Sequence, residues 1–388
     1  MQFLQTLKNY LPENQEDVQK DNVKKLCYFC GMESTCKYIF NPEHDLCLAN
    51  GDVNFIPPAA AVRFAQEGKW IEKFMRAPGS VADSSRCSGC GSCSCSCSCS
   101  GNCAVQVVPW GWNAVLKRKL IGEGWPQEVL PSDEELEFIK VHSRRELAVE
   151  LLERLQDDQA AAMPEAPALP ASPASIIPST YRTIAHSMEE IESFLQTHNR
   201  IVLKALLSGS GKGIRFVTGE LMETDRGWCR KTLQKQGAVI VEQRMEILQE
   251  FAMLFECAVV SGTSEQVKVT FRGYSMFYAN NGAYKGNILA SDEHIENMLS
   301  KHIPREVLHK LQVEIAQWLD EKLQGKYTGF VGVDMFISEG GVINPAMEIN
   351  LRMTMGLIAR NIYDFHKEEY GLGDGTHCFE PERGICKL

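Results

Sequence analysis

The stretch VGVDMFISEGGVINPAMEINLRMTMG, residues 331–356, organises the reading of this chain. Two apolar runs flank Glu339-Gly340-Gly341, which predicts two strands joined by a turn, a β-hairpin. Asp334 lies on the first arm. Glu348, Asn350 and Arg352 follow at alternate positions on the second, so one sheet face carries all three. Two carboxylates, an amide oxygen and a guanidinium suit a phosphate-bound divalent cation. Mg²⁺ takes hard oxygen ligands and shares them with phosphates, and the planar arginine fork clamps a phosphate. A solvated strand face with a salt bridge would use the same residues. Pro345 cannot donate to a ladder, so a bulge or an edge is predicted just before Glu348.

The 388 residues suffice for two or three domains with real cores. Apolar residues make up 44% and charged residues 23%, an ordinary globular balance. The formal charge of −10 argues against general affinity for nucleic acid or an anionic membrane. The first twenty residues lack the apolar core of a signal peptide. No run approaches a membrane span. A cytoplasmic location is therefore expected. Seven of the fifteen cysteines lie in the Ser-Cys tract, and the odd total with that location argues against a disulfide framework.

Along the chain, residues 1–36 read as an N-terminal extension. A strand is predicted at Tyr38-Ile39-Phe40, running into the polar turn Asn41-Pro42-Glu43-His44-Asp45. Residues 62–76 have a helical apolar stripe. Residues 80–103, with RCSGCGSCSCSCSCSGNC at their centre, hold almost no bulky apolar side chain and are expected to form a disordered surface loop. A short strand at residues 105–109 leads into Trp110-Gly111-Trp112, an expected aromatic corner. Ser132 with Glu135 forms a capping box, and its helix should run to about Leu155 with a break near Val141-His142-Ser143. The Ala/Pro-rich residues 160–178 read as a linker or insertion. Ser187 and Glu190 open another helix. Strands are expected at residues 200–204, 214–217, 239–242, 251–260 and 267–277. A helix from Arg305 should end before Gly325.

Residues 206–213, LLSGSGKG, are a candidate anion loop, because glycine lets backbone N–H groups approach phosphate. Lys204 and Lys212 add positive charge. The Walker A pattern fails twice: Leu206 stands where its first glycine belongs, and Gly213 follows the lysine in place of Ser or Thr. An ordinary hairpin turn is the plainer alternative. The strand Val239-Ile240-Val241-Glu242-Gln243 would present backbone groups and a carboxylate to an adenine, though many strands end in Glu.

Lys204, the glycine loop, residues 239–243, Asp334 and Glu348-Ile-Asn350-Leu-Arg352, in that order, resemble the ATP-grasp superfamily over roughly residues 135–365. The resemblance implies an α+β fold in which two lobes clamp ATP, preceded here by an α/β domain. The domains would be 37–130, including the Ser/Cys loop, and 131–388, including the Ala/Pro insertion. Carried over by position, Lys204 would meet the α- and β-phosphates, with Arg145 or its neighbour Arg144 as an earlier phosphate ligand. Ser208, Gly209, Ser210, Gly211, Lys212 and Gly213 would form a lid. Glu242 and Gln243 would sit at the adenine hinge. Asp334, Glu348 and Asn350 would hold Mg²⁺, with Mn²⁺ as a substitute, and Arg352 would meet the transferred phosphate. The N-terminal FNPEHDLCLANG and FIPPAA, with VPWGWN, resemble an uncharacterised bacterial group of ATP-grasp-like proteins.

That resemblance implies a ligase joining a small-molecule or peptide carboxylate to an amine through an acyl phosphate. A phosphotransferase on the same fold, or a non-catalytic nucleotide- or metal-binding protein, remains an alternative. Arg272 and Lys285 would supply cations to an acyl phosphate or substrate carboxylate, or simply flank a Gly-rich hairpin. His44 would carry or orient a proton, or be a core histidine at a capped turn. Cys27, Cys30, Cys36, His44 and Cys47 only superficially match a zinc ribbon, and the Ser-Cys tract would take up soft metals adventitiously. The sequence carries no readable oligomeric state.

Overall fold

The computed structural model describes residues 24–26, 33–75, 106–162, 175–208, 213–259, 267–280 and 283–388. The Ser-Cys tract, the pair Cys27 and Cys30 and the centre of the Ala/Pro-rich segment lie outside them. Among the described residues, helices mix with strands in three sheets.

The first sheet is small. Strand β1 (Lys24–Leu26) pairs antiparallel with β2 (Glu33–Ile39), which runs parallel to β3 (Gln106–Pro109). The expected strand at Tyr38 is therefore part of β2, and β2 begins inside the segment read as an extension. Helix α1 (His44–Asn50) starts within the expected polar turn, and α2 (Ala59–Glu67) is followed by the 3₁₀ segment Lys69–Phe74. The expected single helix at 62–76 is thus two pieces, interrupted at Gly68. Trp110 packs edge-on against Phe40 with centroids 5.2 Å apart, which forms the aromatic corner. Helix α3 (Ala114–Gly122) is capped by Asn113.

Ser132 and Glu135 form the expected capping box on α4 (Asp133–His142), and the predicted break separates it from α5 (Glu146–Ala162). A four-stranded antiparallel sheet comes next, ordered β4 (Arg182–Ala185), β7 (Val239–Gln243), β5 (Arg200–Ala205), β6 (Ile214–Thr218). Helices α6 (Met188–His198) and α7 (Glu223–Gln236) cover one face. Ser187 caps α6 by accepting from Glu190 N, while Glu190 accepts from His186 N, one residue away from a true box. Strand alternation decides what faces where. Ile201, Leu203, Val239 and Val241 enter the helix-side core. Lys204 and Glu242 alternate with them and face away from those helices.

The large sheet has seven strands in the order β12 (Ile343–Asn350), β11 (Gly329–Ser338), β8 (Ile247–Val259), β9 (Val267–Asn280), β10 (Ala283–Leu289), β13 (His377–Glu380), β14 (Gly384–Lys387). Both faces are covered. Phe251, Met253, Phe255, Val331, Val333 and Met335 pack with α5, α8 (Asp292–Leu299) and α9 (Arg305–Leu323). Ala252 and Leu254 point the other way, to α10 (Met355–Tyr370) and the N-terminal Phe40, Ile71 and Phe74. Each fully buried Leu or Phe in these layers contributes roughly 1.5–3 kcal/mol. The β11–β12 hairpin turns through Gly340 and Gly341, whose φ values of 82° and 75° suit glycine. The register slips between Asp334 and Phe336, opposite the Pro345 region, which is the predicted bulge.

Candidate functional site

Asp334 lies directly opposite Glu348, and Gly332 opposite Asn350. Val333, Ile349 and Leu351 fill the helix-side core, so Asp334, Glu348 and Asn350 share the other face. Asn350 Nδ2 donates to Asp334 Oδ2 at 3.0 Å. Burial, then the Glu348 carboxylate, pushes the Asp334 carboxyl up to about 7. These are hard oxygen donors with charge to spare. Among the described residues, no three or more His, Cys, Asp and Glu side chains converge as a cation cage. The third donor here is an amide, so a cation on this face would need further oxygens, as a Mg²⁺ sharing phosphates does.

The smaller sheet brings the cations. Lys204 Nζ lies 2.7 Å from Glu242 Oε2. Arg182 Nη2 lies 2.7 Å from Glu242 Oε1, a close charge contact not aligned as a hydrogen bond. Tyr181 OH donates to Glu242 Oε2 at 3.1 Å. Burial pushes Glu242 up, but Arg182 and Lys204 more than reverse this and bring its carboxyl down to about 2. Burial holds the Lys204 amine below its usual value in spite of Glu242. Arg182 also donates from Nη1 to the Ala346 carbonyl on β12 at 3.0 Å, which ties the two sheets together. Ser175 O and Ile177 N, before β4, both bond Ile343 in β12.

Arg145 enters from the turn before α5. Its Nη2 is 2.9 Å from Glu348 Oε1, and its Nη1 donates to Ser208 Oγ at 2.8 Å. Arg144 instead pairs with Glu146 and the Gln236 carbonyl. Of the two arginines, Arg145 is the one that reaches Glu348 and Ser208. Arg352 has a partner that the sequence reading did not anticipate. Asp45 of α1 accepts from Arg352 Nε and Nη2, both at 2.8 Å. Burial pushes the Asp45 carboxyl up, and the Arg352 guanidinium overcomes this and holds it below its usual value.

Asp45, Ser143, Leu206, Leu207, Ser208 and the segment from Glu348 to Arg352 line one small polar cleft. The fold thus gathers Arg145, Lys204, Ser208, Glu242, Asp334, Glu348, Asn350 and Arg352 around a junction of three parts of the chain. Gly213 lies at the start of β6, where its carbonyl accepts from Ala205 N at 2.9 Å. Gly209, Ser210, Gly211 and Lys212 lie outside the described residues. Gln243 ends β7, half-buried. Arg272 Nε pairs with Glu256 at 3.4 Å, and Lys285 is exposed on β10. Neither lines the cleft.

His44 is buried beneath Gly111, where a Cβ would fall 2.6 Å from the ring, so only glycine fits. Burial pushes its imidazole down to about 4. One ring nitrogen meets Asn113 Nδ2 at 3.2 Å. This is the core-histidine alternative, a neutral ring that fixes α1 and with it Asp45. Arg182, Tyr181 and Asp45 were absent from the sequence-derived site. An arginine opening the short strand RTIA, residues 182–185, was the available signal for Arg182 and its neighbour Tyr181.

No protein-family model matches the sequence, and no curated relative matches it. Among solved structures, N5-carboxyaminoimidazole synthetase from Staphylococcus aureus complexed with ADP is 14% identical over 72% of this chain and 58% of its own, with a TM-score of 0.39. A biotin carboxylase from Campylobacter jejuni is 13% identical over 73% of this chain and 57% of its own, TM-score 0.42. A D-alanyl-alanine synthetase A from Vibrio cholerae is 16% identical over 69% and 73%, TM-score 0.38. The chain thus spans under two thirds of the length of the first two. Among the described residues, no helix is long and apolar enough to cross a membrane.

Proposed function

We propose that the chain is an ATP-grasp enzyme, an ATP- and Mg²⁺-dependent ligase that joins a small carboxylate to an amine. The observation that carries this reading is the opposition of Asp334 and Glu348, with Arg145 paired to Glu348 and Arg352 bonded to Asn350 beside them. A carboxyl raised to about 7 by burial and a second carboxylate is an unmet demand for positive charge. The surrounding lysine and arginines suit a polyphosphate.

In this reading Asp334, Glu348 and Asn350 would hold the divalent ion. When bound, the ion supplies charge neutralisation at the phosphates. Arg145 and Lys204 bind and orient the phosphate chain, and Glu242 and Tyr181 fix Lys204. Gln243 and the backbone after β7 border the adenine, and Ser208 and Gly213, which flank the glycine loop, border the phosphates. A substrate carboxylate oxygen attacks the γ-phosphorus, ADP leaves, and an acyl phosphate forms. The amine then attacks the acyl carbon, phosphate leaves with the bonding electron pair, and the amine proton passes to solvent. Such chemistry depends on positioning and electrostatics and needs no nucleophilic side chain.

The test has two parts. Mg-ATP binding is measured by calorimetry for the whole chain and for Glu348→Ala, with binding expected in the first and a loss of at least about tenfold, or about 1.4 kcal/mol, in the second. Unchanged binding in the variant means that the cation face is wrongly assigned. ADP release is then screened against pooled carboxylates and amines, with products identified by mass spectrometry. A phosphorylated product without free phosphate would make the protein a phosphotransferase instead.

A further inference from the structure

The cations around the cleft are already paired, but not in equivalent ways. Arg145 shares Glu348, a residue proposed to meet the divalent ion. With Glu348 holding such an ion, Arg145 would be released toward phosphate. Arg352 shares Asp45, which comes from α1 and does not lie on the cation face. A guanidinium has five N–H groups. In Arg352, Nε and one Nη2 N–H go to Asp45, the other Nη2 N–H goes to Asn350 Oδ1 at 2.9 Å, and Nη1 donates to Met353 O at 3.0 Å. The fork is therefore filled, and one Nη1 N–H remains. A terminal phosphate that takes the fork must displace a carboxylate from a bidentate pair whose side chains are only 17% and 23% exposed. Charge-assisted bidentate pairs of this kind are stronger than the open surface pairs worth about 0–1 kcal/mol.

We propose that Asp45 is a positioning residue for Arg352: an internal carboxylate that holds the guanidinium fork until a terminal phosphate replaces it. It thereby sets how strongly the cleft prefers a nucleoside triphosphate over a diphosphate. The inference rests on the nucleotide reading above and adds a part of the chain, α1, that the reading does not use. Removing the charge at Asp45 frees the fork, while the bonds to Asn350 and Met353 still aim it into the cleft. A diphosphate lacks the γ-phosphate that would take the fork, so the effect is confined to the triphosphate.

The experiment titrates the whole chain with Mg-ADP and with Mg-AMP-PNP, a non-hydrolysable triphosphate, and compares wild type with Asp45→Asn. The affinity ratio of AMP-PNP to ADP is expected to rise about tenfold in the variant, with ADP affinity itself changed by less than about twofold. In an Arg352→Gln background the same Asp45→Asn change is expected to leave the ratio flat, which a merely structural role of Asp45 would not produce. Asp45→Ser is the second variant, in case the asparagine protein does not fold. A ratio that stays level or falls in either folded variant overturns the role of Asp45 and leaves the nucleotide site standing. Wild-type protein that binds neither nucleotide overturns the nucleotide site and this inference together.

Discussion

Glu242 and Asp334 are both carboxylates deep in the same junction, yet their protonation is pushed in opposite directions. Glu242, on the small sheet, is 2% exposed and ringed by Lys204, Arg182 and Tyr181. Its carboxyl sits at about 2. Asp334, on the large sheet, faces Glu348 across the hairpin and sits at about 7. Burial raises both, and the neighbours decide the outcome. The first carboxylate is a completed structural joint. The second meets another carboxylate, a repulsion that a divalent cation would offset under the proposed function.

The largest expected effect breaks the completed joint. Glu242→Gln leaves Lys204 and Arg182 buried without a counter-ion, and is expected to lower unfolding stability by about 3–5 kcal/mol in a denaturant titration. A loss below about 1 kcal/mol would mean that the cations find other partners. The same carboxylate gives a pH signature. Its folded pKa lies below the unfolded value, so its contribution is complete above pH about 4.5 and is lost as pH falls toward 2.

His44 acts over a neighbouring window by the opposite chemistry. Its imidazole is depressed to about 4 from 6.5, so between those values the unfolded chain binds the extra proton. Stability is expected to drop by about 3 kcal/mol as pH falls from 6.5 to 4. His44→Gln should flatten that slope in a thermal melt series, and a slope of unchanged size would remove His44 as its source.

Asp334→Asn sharpens the contrast because it reverses the sign. Removing one of two opposed carboxylates is expected to raise metal-free stability by about 1 kcal/mol, while Mg-ATP affinity falls at least about tenfold. Lower stability in metal-free buffer would contradict the unmet charge at this face. The smallest effect is expected outside the cleft. Arg272→Ala and Lys285→Ala should each leave Mg-ATP binding within about 0.5 kcal/mol of wild type. A clear loss in either would return the β9–β10 hairpin to the site.

Local patterning carried much of the fold. The apolar alternation around Asp334, the Gly-Gly turn and Pro345 together predicted the hairpin, its face and its bulge, because strand period and turn chemistry are short-range properties. The capping box at Ser132, the break after Val141 and the helix Arg305–Leu323 were legible for the same reason. Pairings across long separations were not. Asp45 and Arg352 are 307 residues apart, and Arg182 reaches a carbonyl 164 residues away. Nor did the chain announce that β13 and β14 would extend the large sheet beyond β10.

The sequence by itself therefore determined that Glu348 and Asn350 share a face, while the register that sets Asp334 opposite Glu348, and the end of β12 before Arg352, came from the structure. The sequence also put charged residues at the ends of the apolar strands that hold Lys204 and Glu242. Only the tertiary structure decided which charges compensate each other. Side-chain direction follows from a backbone period of two residues, whereas the partner of a buried charge depends on which sheet, helix or loop packs over it. That packing gave Glu242 two cations, gave Arg352 a carboxylate from α1, and left Asp334 facing another acid.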